Sequence, residues 1–253
     1  MTRTDAHGHP VGDPVDWKPA QHLGPTVLQG RWVTLEPLVP GHADDLANTI
    51  CGPGDEHLWT YLSDEPPADP ASYVEARLAD PGLATLAVRP RGGPVSGLAS
   101  WMREDAANGS VEVGSIVLGR GLRRTTAATE AMVLMMGHAF ERGYRRYEWK
   151  CDALNAPSRT AAARLGFTHE GTFRQAVVYK GRNRDTAWFS VTDGEWARLR
   201  SAFEAWLDPA NFDDPAAGAG QRRRLSELVA AARNRPPHAG TAIPHVGTPV
   251  GPA

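Results

Sequence analysis

The 253-residue sequence holds only two cysteines, Cys51 and Cys151, and three lysines, Lys18, Lys150 and Lys180. Two widely separated cysteines build neither a disulfide framework nor a zinc pattern, so a hydrophobic core must hold the fold. Arginine makes up for the missing lysine, and the formal net charge of −2 leaves no global basic field. Nucleic acid is therefore disfavoured as the main partner. No apolar run approaches the roughly 18 residues of a membrane span, and residues 1–25 lack the apolar stretch of a signal peptide, so a cytoplasmic protein without membrane contact is expected. GxxxxGK[ST] and GxGxxG are both absent, which argues against a P-loop enzyme and a dinucleotide-binding fold. His7, His9, His238 and His245 lie in the flanks without ligand spacing, and His138 sits in an apolar helical run, so no metal is expected.

What is present suits one globular α/β domain, with 41% hydrophobic and 22% charged residues. Residues 1–25, rich in Pro, Gly, His and Asp, read as a disordered arm. The domain is expected over 26–207, and 208–253 reads as a Pro/Ala/Gly-rich tail with a short basic helix in QRRRLSELVAAARNR. Within the domain, TVLQGRWVTLEPL reads as a strand. GHADDLANTI, the stretch around DEHLWTYL and DPASYVEARLAD read as helices, the last capped by Asp69. LATLAVRP, PVSGLASWMRE and GSVEVGSIVL form a predicted antiparallel meander. TEAMVLMMGHAFERGY is apolar on several sides, so a helix covered by neighbours is expected there. The strand RRYEWKCDA, the helix from Asn155 to Gly166, a hairpin turning near Gly181 and the helix DGEWARLRSAFEAWL complete a mixed-sheet domain.

GRGLRRTTAATEA, residues 119–131, places the adjacent Arg123 and Arg124 and a run of small or hydroxyl side chains where the long helix begins. A helix start offers unpaired N–H groups and the positive end of the helix dipole, and small residues let a ligand approach the backbone. Arg123 and Arg124 add charge-assisted pairing to phosphate oxygens. A phosphate-bearing ligand follows from this local physics.

VEVGSIVL, RRTTAATEA and KCDALNAPSRTAAARLGFTHEG occur in this order, and from Gly30 to about Leu207 the chain resembles the GCN5-related N-acetyltransferases (GNAT), particularly the branch that acetylates ribosomal-protein N-termini. The resemblance implies a mixed, mostly antiparallel central sheet flanked by helices and splayed between its fourth and fifth strands. It also implies an acyl-CoA ligand. The family's pyrophosphate loop, Q/R-x-x-G-x-G/A, corresponds to Arg123, Arg124, Thr125, Thr126, Ala127 and Ala128, with Thr126 in place of the first glycine. By the same resemblance, backbone N–H groups from Arg124 to Thr129 cradle the pyrophosphate, Ile116, Val117 and Leu118 pair with the pantetheine arm, and Asn155 and Ser158 contact the pantetheine or the sulfur.

Direct transfer to an amine needs a proton acceptor, oxyanion donors and a means of stabilising the thiolate. Glu112, on the strand feeding the phosphate loop, is the first candidate base, against the alternative of a solvent-facing or arginine-paired carboxylate. Glu148, Asp152 and Glu170 are rivals, and a base on the strand after the LGF turn is missing because Val177 stands there. Ser158 is the candidate acid at the sulfur, against a plain helix-start serine, and a backbone N–H near Val117 is the expected oxyanion donor. Cys151 is expected to be a buried structural cysteine. Trp59 and Tyr61 are candidates for the acceptor pocket. Arg174, Lys180, Arg182 and Arg184 form either a solvated turn or an electropositive rim for an acidic acceptor or a succinyl-like acyl group. The expected activity is acetyl transfer from acetyl-CoA to a primary amine, on a protein N-terminus or a small molecule. A succinyl or longer-chain transferase and a catalytically dead CoA-binding regulatory module stand as alternatives, and a homodimer is left open.

Overall fold

The computed structural model describes residues 3–234. A hairpin, β1 (Arg3–Thr4) and β2 (Pro10–Val11), precedes the main sheet. The main sheet begins with β3 (Leu28–Gln29) and β4 (Val33–Pro37), followed by α1 (Ala43–Thr49), a single 3-10 turn at Glu56–Trp59, and α2 (Pro70–Ala79). The meander is β5 (Leu83–Pro90), β6 (Gly97–Asp105) and β7 (Ser110–Leu118). Then come α3 (Thr126–Glu141), β8 (Arg146–Asp152), α4 (Ala156–Arg164), β9 (Thr168–Tyr179), β10 (Arg182–Thr192) and α5 (Asp193–Leu207). A hairpin of β11 (Phe212–Asp214) and β12 (Ala219–Gln221) leads to α6 (Leu225–Arg233).

The eight-stranded sheet has the order β3-β4-β5-β6-β7-β8-β10-β9. Its β7–β8 pair is parallel, and the other neighbours run antiparallel. The β7–β8 pairing runs from Ser110↔Arg146 to Val113↔Trp149 and then stops, so the fourth and fifth strands of the expected fold diverge beyond Val113. A bulge helps to open the gap. Ser115 sits at φ 51, and the β6 register jumps from Leu98↔Val117 to Ser100↔Gly114. The extra residue reverses which face the side chains occupy. Val111 and Val113 join the core under α3, whereas Val117 joins the core on the other face.

α3 is buried from Thr126 to Met132 and again at Met135, Met136, Ala139 and Phe140, because the sheet, α5 and the C-terminal segment all pack on it. Glu130, inside this apolar helix, accepts hydrogen bonds from the Arg31 and Trp32 amides at 2.8 and 2.7 Å and so ties down the β3–β4 turn. A side chain at Gly30 would push this carboxylate off its two hydrogen bonds. The opposite face of the sheet carries a second core of Leu46, Ile50, Trp59, Val74 and Val117 beneath α1 and α2.

The folded body extends beyond 26–207 at both ends. Within the expected disordered arm, Trp17 donates to the Gly143 carbonyl at 3.1 Å, Ala20 N–H donates to Ala106, and Ala20 and Leu23 are buried. Within the expected tail, Phe212 packs edge-on against Trp32 and Trp206, and Leu225, Leu228 and Val229 of α6 are buried beside α5. A few isolated apolar residues anchor both segments, and the surrounding Pro, Gly and Ala conceal them from a composition-based reading. The basic helix expected in the tail is α6, with Arg222, Arg223 and Arg224 before its start. Residues 235–253 of that tail, and His238 and His245 with them, lie outside the described residues.

Candidate active site

The turn after β7 carries the loop expected to hold phosphate. Thr125 caps α3: its Oγ1 accepts from the Ala128 amide at 3.1 Å and donates to the Leu122 carbonyl at 2.6 Å. The N–H groups of Arg124, Thr126 and Ala127 meet no acceptor among the described residues. Arg124 sits at φ 63, a conformation that turns successive N–H groups toward a common point. Arg123 and Arg124 are exposed. The Thr126 side chain points away from solvent and donates to the Gly218 carbonyl at 2.6 Å, which gives the residue in the family's glycine position a defined partner. His57 Nδ1 donates to the Gly54 carbonyl, which leaves Nε2 to accept from Arg123 Nη1 at 3.2 Å.

Beside this loop the splay opens into a cleft of about 560 Å³. Gly114 to Leu118 form one wall, Trp149 to Cys151 with Asn155 and Ser158 form the other, and Leu58 with Thr60 to Asp64 close one side. Beyond Val113, the β7 edge that faces β8 has no strand partner, so its backbone groups are available to a bound chain. Of the expected ligand-contacting residues, Ile116, Val117, Leu118, Arg123, Asn155 and Ser158 line this cleft. Thr126, Ala127, Ala128 and Thr129 lie buried at the helix start, where only the Thr126 and Ala127 N–H groups are unpaired among the described residues.

Glu112 is 5% exposed and lines the cleft. It ends a row of alternating charge on one sheet face. Glu170 pairs with Arg146 at 2.6 Å, Arg146 with Glu148 at 2.7 Å, Glu148 with Lys150 at 2.7 Å, and Lys150 with Glu112 at 3.0 Å. Arg103 stands 3.4 Å from the same Glu112 oxygen. Burial pushes the Glu112 carboxyl above the ordinary carboxylate range, and the Lys150 charge only partly offsets it. Burial acts in the same sense on Glu148, but hydrogen bonds from Lys150 and Arg146 outweigh it and hold that carboxyl low. Arg146 holds Glu170 at about 2. Asp152 accepts from the Leu154 amide and the Tyr179 hydroxyl. Of the four carboxylates expected to compete as base, Glu112 is the one that lines the cleft.

On the opposite wall, Asn155 caps α4 by accepting from the Ser158 amide at 3.1 Å, and Ser158 Oγ accepts from Trp149 Nε1 at 2.9 Å. An accepted hydrogen bond polarises the hydroxyl, leaving Ser158 a stronger donor toward the cleft. Cys151 is buried, and burial raises its thiol pKa, with opposing contributions from Ser158 and Arg184. A neutral thiol is a poor nucleophile, in keeping with a structural cysteine. His138 is half-buried against Trp101, and burial lowers its pKa. Trp59 is fully buried and donates to the Ile50 carbonyl, so it supports the acceptor side from behind, whereas Tyr61 lines the cleft. Lys180 is tied to the Trp59 carbonyl at 2.8 Å and to Glu65 at 3.3 Å. Val177 is exposed on β9.

Arg103, Lys150, His57 and Asp64 join the site without having been singled out in the sequence. Strand alternation carried a signal for Lys150, since Arg146, Glu148 and Lys150 share one face of β8. His57 lies in the 3-10 turn at Glu56–Trp59 and Asp64 in a bend after it, where the sequence suggested a helix. Among the described residues, no group of three or more His, Cys, Asp or Glu side chains could hold a metal ion, and no helix is long and apolar enough to cross a membrane.

The model of the acetyltransferase (GNAT) domain matches residues 33–168, more than half of the chain. The chain belongs to the GNAT acetyltransferase family. A GNAT protein from Brucella melitensis is 43% identical, with the match covering 85% of this chain and 99% of that one at a TM-score of 0.81. A GNAT-family protein from Chromobacterium violaceum ATCC 12472 is 36% identical over 75% of this chain and 99% of its own, at a TM-score of 0.68. The acetyltransferase from Salmonella typhimurium that modifies the N-terminal serine of ribosomal protein L7/L12 shares the fold, at 18% identity, 66% of this chain, 99% of its own and a TM-score of 0.59. No curated protein matches the sequence significantly.

Proposed function

We propose that this GNAT protein transfers an acetyl group from acetyl-CoA directly to a primary amine within a ternary complex. The observation that carries the reading is the splayed cleft, with Glu112 on one wall, Ser158 on the other and a phosphate-binding helix start beside it. Arg123, Arg124 and the unpaired N–H groups of Arg124, Thr126 and Ala127 hold the pyrophosphate, and Ile116 to Leu118 run alongside the pantetheine. Asn155 steadies the start of α4 behind the thioester.

In this reading the amine attacks the thioester carbon, forming the C–N bond. Its proton passes to Glu112, directly or through one water, and then to solvent. A backbone N–H on β7 near Val117 stabilises the oxyanion. The C–S bond then breaks, the departing sulfur accepts a hydrogen bond from Ser158, and CoA is protonated on release. Protonating Glu112 does not strand a buried cation, because Lys150 keeps Glu148 at 2.7 Å. The acceptor is a protein N-terminus or a small amine.

The test is thiol release from acetyl-CoA in the presence of a panel of small amines and N-terminal peptides, with the acetylated product read by mass. Amine-dependent thiol release supports the reading. Tight acetyl-CoA binding that no amine discharges would replace it with a CoA-binding regulatory module.

A further inference from the structure

The charges lining the cleft are unevenly satisfied. Glu112 is matched by Lys150 and Arg103, and Asp64 lies 3.8 Å from Arg77. Lys150 is shared between two carboxylates and lies 3.6 Å from the centre of the Trp188 ring. Arg184 also lines the cleft, yet it forms no ion pair with a carboxylate among the described residues, and its buried Nε has no hydrogen-bond partner. The Tyr179 ring lies beside it, its centre 5.7 Å from the guanidinium carbon.

The position of Arg184 in the fold is well defined. The pairing of β10 with β8 begins at Thr186↔Asp152, so Arg184 lies just past the end of β8, where the splay is open. Two ties hold the hairpin that carries it: Tyr179 donates to Asp152 at 2.8 Å, and Lys180 reaches the Trp59 carbonyl and Glu65 across the cleft. The guanidinium is thus presented from a fixed support. A guanidinium that lines a cleft without a carboxylate partner is available to an anionic ligand, and its fork matches the planar two-oxygen geometry of a carboxylate.

We infer that Arg184 forms a carboxylate subsite in the transfer cleft, and that one of the two substrates carries a carboxylate a short distance from the reacting group. This rests on the acyl-transfer reading and deepens it. The carboxylate can belong to the acceptor, as in a free amino acid, or to the far end of the acyl chain, as in a succinyl group. The chemistry recognised is the same in both cases.

The experiment has two arms, each a ratio between two ligands measured on one protein preparation, so that partial misfolding of a variant cancels. The first compares the dissociation constants of succinyl-CoA and acetyl-CoA. The second compares kcat/KM for free amino acids with that for their carboxamides, with acetyl-CoA as donor. Wild type is expected to favour the carboxylate-bearing ligand by about 10- to 100-fold in one arm. Arg184→Gln should bring that ratio close to one, and Arg184→Lys should restore part of it. Preference in the first arm assigns the carboxylate to the acyl chain, and preference in the second assigns it to the acceptor. No preference in either arm, or a preference that survives Arg184→Gln, overturns the subsite while leaving acyl transfer intact. Failure of every CoA species to bind overturns both readings together.

Discussion

The hydroxyl of Thr126 donates to the carbonyl of Gly218 at 2.6 Å, joining the start of α3 to a turn 92 residues further along the chain. Both partners are unusual for their places. Thr126 stands where the family loop carries its first glycine, and Gly218 sits at φ 63 with Trp32 and Thr126 so close that a side chain would crowd them. Trp32 donates in turn to the Pro215 carbonyl at 3.0 Å. The C-terminal turn therefore fills the space behind the loop and occupies the threonine side chain, while the N–H groups of Arg124, Thr126 and Ala127 stay unpaired among the described residues.

Replacing Thr126 with Val removes the hydroxyl and keeps the shape. It should cost about 1–3 kcal/mol, because the Gly218 carbonyl loses its donor at a buried position. Thr126→Ser should keep most of the stability, and urea unfolding of the two variants provides the comparison. Truncation after Asp208 is a harsher test, since it removes Phe212, Leu225, Leu228 and Val229 from the core. Each buried side chain of this kind contributes about 1.5–3 kcal/mol, so the truncated chain should fail to fold or melt far below the full one. A truncated protein with unchanged melting and CoA affinity would show that the C-terminal segment packs without stabilising.

The Arg123→Ala/Arg124→Ala double variant separates ligand binding from folding, because both side chains are exposed. Hydrogen bonds to charged groups are worth about 1.5–3 kcal/mol each, so CoA affinity should fall by at least about tenfold while the melting temperature of the free protein stays near wild type. Calorimetric titration with CoA checks this. An unchanged dissociation constant would remove the pyrophosphate from this helix start.

The order of strands and helices was legible because the meander, the long apolar helix and the final hairpin each carry a clean period and clear punctuation. The loop before α3 and the start of that helix were legible for a local reason, since a run of small and hydroxyl residues before an apolar stretch needs no tertiary partner to mark a helix start. The cleft's charge pattern was not. Lys150 and Glu112 lie far apart in sequence and meet only through the parallel β7–β8 register, which pairs Glu112 with Glu148. Arg103 reaches Glu112 from an irregular stretch of β6, where it sits at φ 48, and no periodic pattern foretells that. The flanks were misread for the opposite reason. Residues such as Trp17 and Phe212 act singly, and a window average dilutes one aromatic among many prolines and glycines.

Ser158→Ala should lower kcat by about tenfold or more with little change in KM for acetyl-CoA, since the hydroxyl acts on the departing sulfur rather than on the bound ground state. The variant also deprives Trp149 Nε1 of its acceptor, so a stability loss of about 1–3 kcal/mol accompanies it. Saturating acetyl-CoA during the assay offsets that loss. A kcat equal to wild type would leave Ser158 as the partner of Trp149 and nothing more.

Glu112 makes the sharpest pH prediction. Its carboxyl must be ionised to accept a proton, and burial raises its pKa above the ordinary 4.5. As pH falls through that raised value, kcat/KM for the amine should drop along a limb that belongs to the enzyme. It adds to the limb set by protonation of the amine itself, near 8 for an α-amino group. Glu112→Gln should reduce the rate at neutral pH by about 10²- to 10⁴-fold and abolish the enzyme's limb while keeping that of the amine. The stability sign is independent of catalysis. A carboxyl whose folded pKa is raised contributes stability below the unfolded value and loses it as pH rises through the folded value, so the neutral glutamine should not reproduce this pH dependence. The Lys150–Glu148 pair stays in place in the variant, which keeps the buried ammonium compensated. A Glu112→Gln enzyme with the wild-type rate and both limbs would move the base elsewhere, and Asp64, the other carboxylate lining the cleft, would be the next residue to replace.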